Sequence, residues 1–327
     1  MAVISYIEAV TQALDEEMSR DQNVFVMGED VGKRGGVFQA TKGLYEKYGE
    51  NRVIDTPLAE SAIAGVGIGA AMYGMRPVAE MQFSDFMLPA ANQIISEAAK
   101  TRYRSNNEWT VPITIRAPFG GGVHGGLYHS QSMEAIFANV PGLKIVIPST
   151  PYDVKGLLKA SIRDNDPVIF FEHKRAYRLI KGEVPEDDYV LPLGKADIKR
   201  EGRDVTVITY GLMVHDVLQA AEKLEKEGIS VHLLDLRTVY PLDKDAIIEA
   251  ARKTGKVLLM TEDNKEGSVI SEVAAIIAEN CLFDLDAPIR RLAAPDVPAM
   301  PYAHPLEQAF MVKPEQVEKE IRDLAEF

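Results

Sequence analysis

Cysteine is almost missing from this chain: Cys281 stands alone among 327 residues. A single thiol closes no internal disulfide and builds no metal cluster, so a reducing compartment with an inert thiol is expected. No stretch approaches the roughly 20 uninterrupted apolar residues of a membrane-spanning helix. The opening segment, MAVISYIEAVTQALDEEMSRD, lacks a basic region followed by an apolar run, so no secretory leader is read there and a cytoplasmic location is expected. Positive charge is also short. Lys and Arg number 36 against 49 Asp and Glu, a formal charge of -13. That balance excludes nucleic acid and anionic membrane as partners, since both need clustered Lys and Arg. The signatures HExxH, CxxC, GxSxG and GxxxxGK[ST] do not occur.

What is present is apolar residue in quantity, 46%, with 26% charged, in a chain long enough for two cores. The opening segment reads as an amphipathic helix, with Ile4, Ile7, Ala9, Val10, Ala13 and Leu14 at helical spacing. Short apolar runs then alternate with helical patterns. Strands are expected at 24–28, 52–57, 76–83, 111–118, 143–149 and 167–173. Helices are expected at 59–74, 88–105 and 151–164. Residues 174–202 are polar and aperiodic, and read as a link with one hairpin. After it the alternation resumes. The fold class is therefore α/β with a mostly parallel sheet. The domains are expected at 1–180 and 203–327, with 181–202 between them.

Gly65-x-Gly67-x-x-Ala70 matches a dinucleotide-binding fingerprint. That fingerprint needs a strand directly before its first glycine. LAESAIA precedes it instead and reads as helix already under way. The better reading is a helix stripped of side chains so that another element can come close, across a subunit interface for example. Each such glycine costs about 1 kcal/mol against alanine.

Three segments could carry chemistry. Glu60 lies where the strand at 52–57 gives way to a helix, the usual place for site residues in a parallel sheet. Taken locally, a first-turn glutamate stabilised by the helix dipole is the simpler reading. The segment Glu80 to Phe86 follows another strand and sets an aromatic ring beside polar groups; locally, a core phenylalanine suffices. The segment Phe119 to Ser130 holds five glycines and two histidines in twelve residues. A loop so unfavourable in backbone entropy is rarely a plain connector, and here function is the preferred reading.

Four stretches in order complete the pattern: VFVMGEDVGKRGGVF, RVIDTPLAESAIAGVGIGAAMYGMRPVAEMQFSDF, APFGGGVHGGLYHSQSMEAIFANVPGLKIVIPSTPYDVKGLL and LLDLRTVYPLD. Together they resemble the β subunit of the decarboxylating component of 2-oxo acid dehydrogenase complexes, over essentially the whole chain. The branched-chain 2-oxo acid dehydrogenase is the nearest likeness, carried by GGLYHSQSMEAIFANVPGLK; pyruvate and acetoin relatives share the scaffold. The resemblance implies an N-terminal pyrimidine-binding domain and a C-terminal transketolase-like domain. It implies thiamine diphosphate as cofactor, with Glu60 at N1′ of the aminopyrimidine. Phe86 is implied to stack on that ring, with Glu29, Leu58 and Gln82 lining the pocket. His129 is implied to face the reacting carbon and to assist acyl transfer to a lipoyl group, while His124 belongs to loop architecture. A structural monovalent cation such as K+ is implied near Val111, Ile113, Thr114, Ser161, Asp164 and Asp166. Asp166 departs from the asparagine of some relatives.

Thiamine enzymes hold the diphosphate through Mg2+ on a Gly-Asp-Gly segment. This chain contains none. The resemblance therefore implies an α subunit that supplies it, an α2β2 assembly with the site between chains, and a lipoyl acyltransferase core as further partner. Two other classes compete. A nicotinamide dehydrogenase would need the strand missing before Gly65. A non-catalytic scaffold would tolerate loss of Glu60 and His129, and both stand in full motif context.

Overall fold

The computed structural model describes all of residues 1–327. Chain contacts sort them into two interleaved units. The first is Met1–Phe119 with Ile136–Leu193; the second is Gly120–Ala135 with Gly194–Phe327. A single cut at 181–202 does not describe this division, because the glycine-rich loop groups with the later residues.

The first unit contains β1 (Ala2–Ser5), β2 (Val24–Gly28), β3 (Val53–Asp55), β4 (Arg76–Glu80), β5 (Thr114–Phe119), β6 (Lys144–Val146), β7 (Val168–His173) and β8 (Lys181–Val184). Six of them lie side by side in the order β6-β7-β5-β4-β2-β3, every pair parallel. Strands β2, β5 and β7 are buried along their whole length. That is why they read as unbroken apolar runs rather than as alternation.

The first helix spans Tyr6–Arg20, capped by Ser5 in a reciprocal box with Glu8. It starts later than the apolar pattern, so Ile4 falls in β1. Ala9, Val10, Ala13 and Leu14 are buried as their spacing predicts. Glu17 is buried too, held by the guanidinium of Arg163 at 2.6 and 3.1 Å from the helix Pro151–Arg163.

The dinucleotide-like glycines sit in mid-helix, Glu60–Met72. A Cβ on Gly67 would come 2.8 Å from Ile113 Cδ1, so here the missing side chain permits close approach to the chain entering β5. Near Gly65 lies Gln93, the first residue of a π-helical stretch, Gln93–Ala98. The expected single helix at 88–105 is thus one helical run from Met87 to Arg104 with a wide turn in its middle. Such turns re-aim side chains and recur at functional sites.

Residues 174–202 form no hairpin. A helical turn, Ala176–Leu179, leads to β8, which pairs antiparallel with β1. The next strand, β9 (Asp197–Arg200), joins the sheet of the second unit. Each half finds its partner far away in sequence, a pairing that local polarity does not record.

The second unit adds β10 (Val205–Thr209), β11 (Val231–Asp235), β12 (Thr238–Tyr240), β13 (Val257–Asn264) and β14 (Arg290–Ala294). Its sheet runs β14-β13-β10-β11-β9, parallel except for the antiparallel edge β9. Val205, Val207, Val231, Leu233, Leu258 and Met260 form the centre of its core. Val317, Ile321 and Leu324 of the helix Pro314–Ala325 close over them. That spacing is a helical stripe, in a segment for which no element had been assigned.

Candidate active site

Glu29, Leu58, Glu60, Gln82 and Phe86 all follow the C-terminal ends of three adjacent strands. Glu29 comes directly after β2, Leu58 and Glu60 follow β3, and Gln82 and Phe86 follow β4. Because β4, β2 and β3 are neighbours and parallel, these ends lie on one edge of the sheet. That edge is where open α/β sheets bind ligands. The glycine ending β2 is required there: a Cβ on Gly28 would lie 2.6 Å from the carbonyl oxygen of Glu80.

Glu60 opens its helix and is 9% exposed; Glu29 is 8% exposed. Burial, then the charge of Glu60, then that of Asp30, push the Glu29 carboxyl above the ordinary carboxylate range. Gln82 reaches toward Asp30, Nε2 to Oδ2 at 3.5 Å. Phe86 is half-buried against Phe83, edge to face at 5.7 Å between ring centres. Thr56 adds an open valence, for its hydroxyl is buried without a hydrogen-bond partner in the chain. Leu58 is 78% exposed beside it. Two nearly buried carboxyls, an aromatic ring and a buried hydroxyl without a partner thus lie at the ends of neighbouring strands, groups that could take an aminopyrimidine. No group of three His, Cys, Asp or Glu side chains is placed to hold a metal ion.

Behind this edge lies a network that the sequence reading missed. Arg116 of β5 is wholly buried and binds Glu172 of β7 through two hydrogen bonds, 2.6 and 2.7 Å, and Glu80 of β4 at 2.6 Å. Tyr177 donates to Glu172 at 2.6 Å. Burial alone would depress the arginine, but Glu172 and Glu80 outweigh it and hold the guanidinium firmly charged. Glu80 is pushed up by burial and drawn back by Arg116. The signal was available: PITIRAP, VIFFEH and RPVAE each put an ionisable residue inside an apolar strand.

The proposed cation residues are less accommodating. The Asp164 carboxylate lies 2.6 Å from Lys144 Nζ, and Asp166 binds Arg102 at 2.5 Å and Lys144 at 3.3 Å. Both carboxylates are thus already paired with cationic side chains.

His129 belongs to the second unit. Its loop leaves the end of β5 and is closed by Gly120 N–H donating to the Gln131 carbonyl at 3.3 Å. Gly125 lets the loop fold on itself, since a Cβ there would meet the His129 carbonyl oxygen at 2.7 Å. His129 is half-buried, and Ser130 Oγ beside it is buried without a partner. Gly121 N–H donates to Glu262 Oε1 at 2.5 Å, and His124 N–H to Glu307 Oε1 at 3.1 Å. His124 Nδ1 lies 2.6 Å from Glu307 Oε2. At the far end, Tyr210 donates to Glu134 at 2.9 Å and pairs with Thr261 at 2.7 Å. Burial, then Asp263 and Glu262, drive the Glu134 carboxyl up to about 8. Burial, with Asp296 and Glu262, takes Asp263 to about 6.

Two units, each with a mostly parallel sheet and covering helices, define a transketolase-type α/β chain. Residues 2–180 match the transketolase pyrimidine-binding domain, and residues 194–317 the transketolase C-terminal domain. The chain is 76% identical over all 327 residues, covering 100% of both chains, to the 2-oxoisovalerate dehydrogenase subunit beta of Bacillus subtilis (strain 168). It is 52% identical over 296 residues to the pyruvate dehydrogenase E1 component subunit beta of the same organism, 90% of this chain and 91% of that one. A solved split-gene transketolase, described as an inactive beta4 tetramer, superposes with a TM-score of 0.80 at 22% identity, covering 99% and 98% of the two chains; it speaks to fold alone. The chain belongs to the β subunits of the 2-oxo acid dehydrogenases.

Proposed function

We propose that this chain is the β subunit of a branched-chain 2-oxo acid dehydrogenase, decarboxylating 3-methyl-2-oxobutanoate and its homologues and passing the acyl group to a lipoyl carrier. The observation that carries the substrate class is the 76% identity, end to end, with a 2-oxoisovalerate dehydrogenase subunit. Pyruvate is the second reading, supported by the 52% identical relative. A decarboxylation assay with the α partner decides between them: at least tenfold higher kcat/KM for 3-methyl-2-oxobutanoate is expected, a difference of about 1.4 kcal/mol. Equal or better use of pyruvate refutes the branched-chain reading.

Thiamine diphosphate, when bound, supplies the electron sink for decarboxylation. This chain's residues prepare it. Glu60 would share a proton with the aminopyrimidine N1′, for which a carboxyl withdrawn from water is suited. Glu29 lies close enough to Glu60 for the two carboxyls to interact, and burial, then Glu60, hold the Glu29 carboxyl above its ordinary range. Phe86 supplies a ring face, and Leu58 and Gln82 line the approach. His129 offers an imidazole that can both donate and accept a hydrogen bond, suited to holding the reacting carbon's substituents and assisting acyl transfer. Glu60→Gln in the assembled enzyme should slow exchange of the cofactor C2 proton by about 100-fold or more. Exchange at the parental rate would remove the role assigned to Glu60.

The diphosphate and its Mg2+ are assigned to an α subunit within an α2β2 assembly. The helix Glu60–Met72 supports an assembly face: it is apolar on every side, yet Val66 is 61% exposed. A lipoyl acyltransferase core is assigned to the acidic C-terminal end, where Phe327 is 66% exposed. Removing Phe327 and neutralising Asp323 and Glu326 should weaken core binding; unchanged binding counts against that surface. A monovalent cation such as K+, if held here, would rest on main-chain oxygens around Val111, Ile113, Thr114 and Ser161. Thermal melting in K+ against an organic cation tests this, and identical curves reject it. A cytoplasmic setting is part of the same reading, consistent with the one buried thiol.

A further inference from the structure

The loop Gly120–Ala135 is fixed at three points, and every fixing group comes from the second unit's later sequence. Glu262 at the end of β13 accepts from Gly121. Glu307, fully buried, receives the backbone N–H of His124 and faces its ring nitrogen. His124 itself is held at a φ of 57°, a left-handed conformation that a non-glycine residue keeps only when its surroundings enforce it. Beyond His129, Tyr210 binds Glu134, whose second carboxyl oxygen is buried with no partner. These groups are spaced across the loop, with His129 between the second and third.

We propose that Glu307 and the Tyr210–Glu134 pair are positioning residues for His129, clamping its loop to the second unit on both sides of the histidine. Glu307 fixes the approach through His124, and Tyr210 fixes the return through Glu134. The neutral carboxyl that burial favours at Glu134 suits this task, because an anion there would face Glu262 and Asp263. The inference rests on the reading that His129 acts on the reacting carbon, and it adds which residues set its place.

The test uses the assembled enzyme with its α subunit and a lipoyl domain as acceptor. Glu307→Ala should speed amide hydrogen exchange across residues 120–131 by about tenfold, since the buried acceptor of the His124 N–H is lost. Exchange in β10 and β13 should not change. kcat for lipoyl acylation should fall by about tenfold, with KM for the 2-oxo acid and C2-proton exchange at parental values. Glu307→Gln keeps an acceptor oxygen and should recover most of both losses. Tyr210→Phe, which preserves volume, should loosen residues 131–135 in the same way if Glu307→Ala proves too unstable to purify. Unchanged loop exchange in Glu307→Ala and Tyr210→Phe overturns the clamp. His129→Ala separates the two ideas. If it leaves lipoyl acylation intact, the reading of His129 fails. If it abolishes acylation while the clamp variants acylate at the parental rate, the positioning role fails.

Discussion

Arg116 shows how a single side chain binds three strands into one support. It is buried between Glu80 and Glu172, and removing it leaves two carboxylates in a dry interior without their counter-charge. Arg116→Met should therefore destabilise the chain by about 3–5 kcal/mol, measured by urea unfolding. The double replacement of Glu80 and Glu172 by Gln in that background should recover part of the loss. Near the cofactor edge, charge and burial act on Glu29 together. Glu60 is the second of the causes that raise it, so Glu60→Gln should lower the Glu29 pKa, leaving the burial effect in place. Carbonyl-carbon NMR titration of Glu29 reads this directly, and an unmoved titration would show that the two carboxyls do not interact. Glu60 and His129 were legible as residues because their motifs are local. Arg116 carried a visible signal, an ion in an apolar strand, but its partners lie 36 and 56 positions away.

At the scale of elements, the helix Glu60–Met72 carries opposite demands at neighbouring glycines. Gly67 is buried where a Cβ would press on Ile113, whereas Gly69 has no atom within 4 Å of its would-be Cβ. Alanine at Gly69 should raise stability of the isolated chain by up to about 1 kcal/mol. Alanine at Gly67 should gain little or lose, because the crowding offsets the propensity. Melting temperatures should therefore rank Gly69→Ala above the parent and Gly67→Ala at or below it. The helical period made this element visible, and the absence of a preceding strand removed the dinucleotide reading. The π-helical turn at Gln93–Ala98 was not visible, since it comes from one extra residue accommodated in packing, not from a change of period. Strands β8 and β9 were invisible for a related reason: edge strands carry short, half-polar sequences, and their partners lie far along the chain.

For the whole molecule, the buried acids of the second unit set a pH dependence. Glu134 is raised to about 8 and Asp263 to about 6, both above their unfolded values. The folded state then holds more protons than the unfolded one, so stability falls as pH rises. For Glu134 the loss runs from its unfolded value of 4.5 up to about 8 and is complete above that. Urea midpoints between pH 5 and 8.5 should decline, and Glu134→Gln should flatten the decline. A slope of the opposite sign would mean that Glu134 is ionised when folded.

Sequence alone determined the alternation of strand and helix, the buried parallel strands, the first helix and the glycine-rich loop. These depend on period, burial and turn residues within a window of a few residues, which the chain writes locally. Tertiary structure decided the rest. It assigned the loop of His129 to the second unit, through Tyr210, Glu262 and Glu307, residues 76, 141 and 183 positions downstream of their partners. It joined Arg116 to its two acids, and it parted β8 from β9. Each of these is a contact between distant residues whose strength comes from shared burial, and burial exists only once the chain has folded.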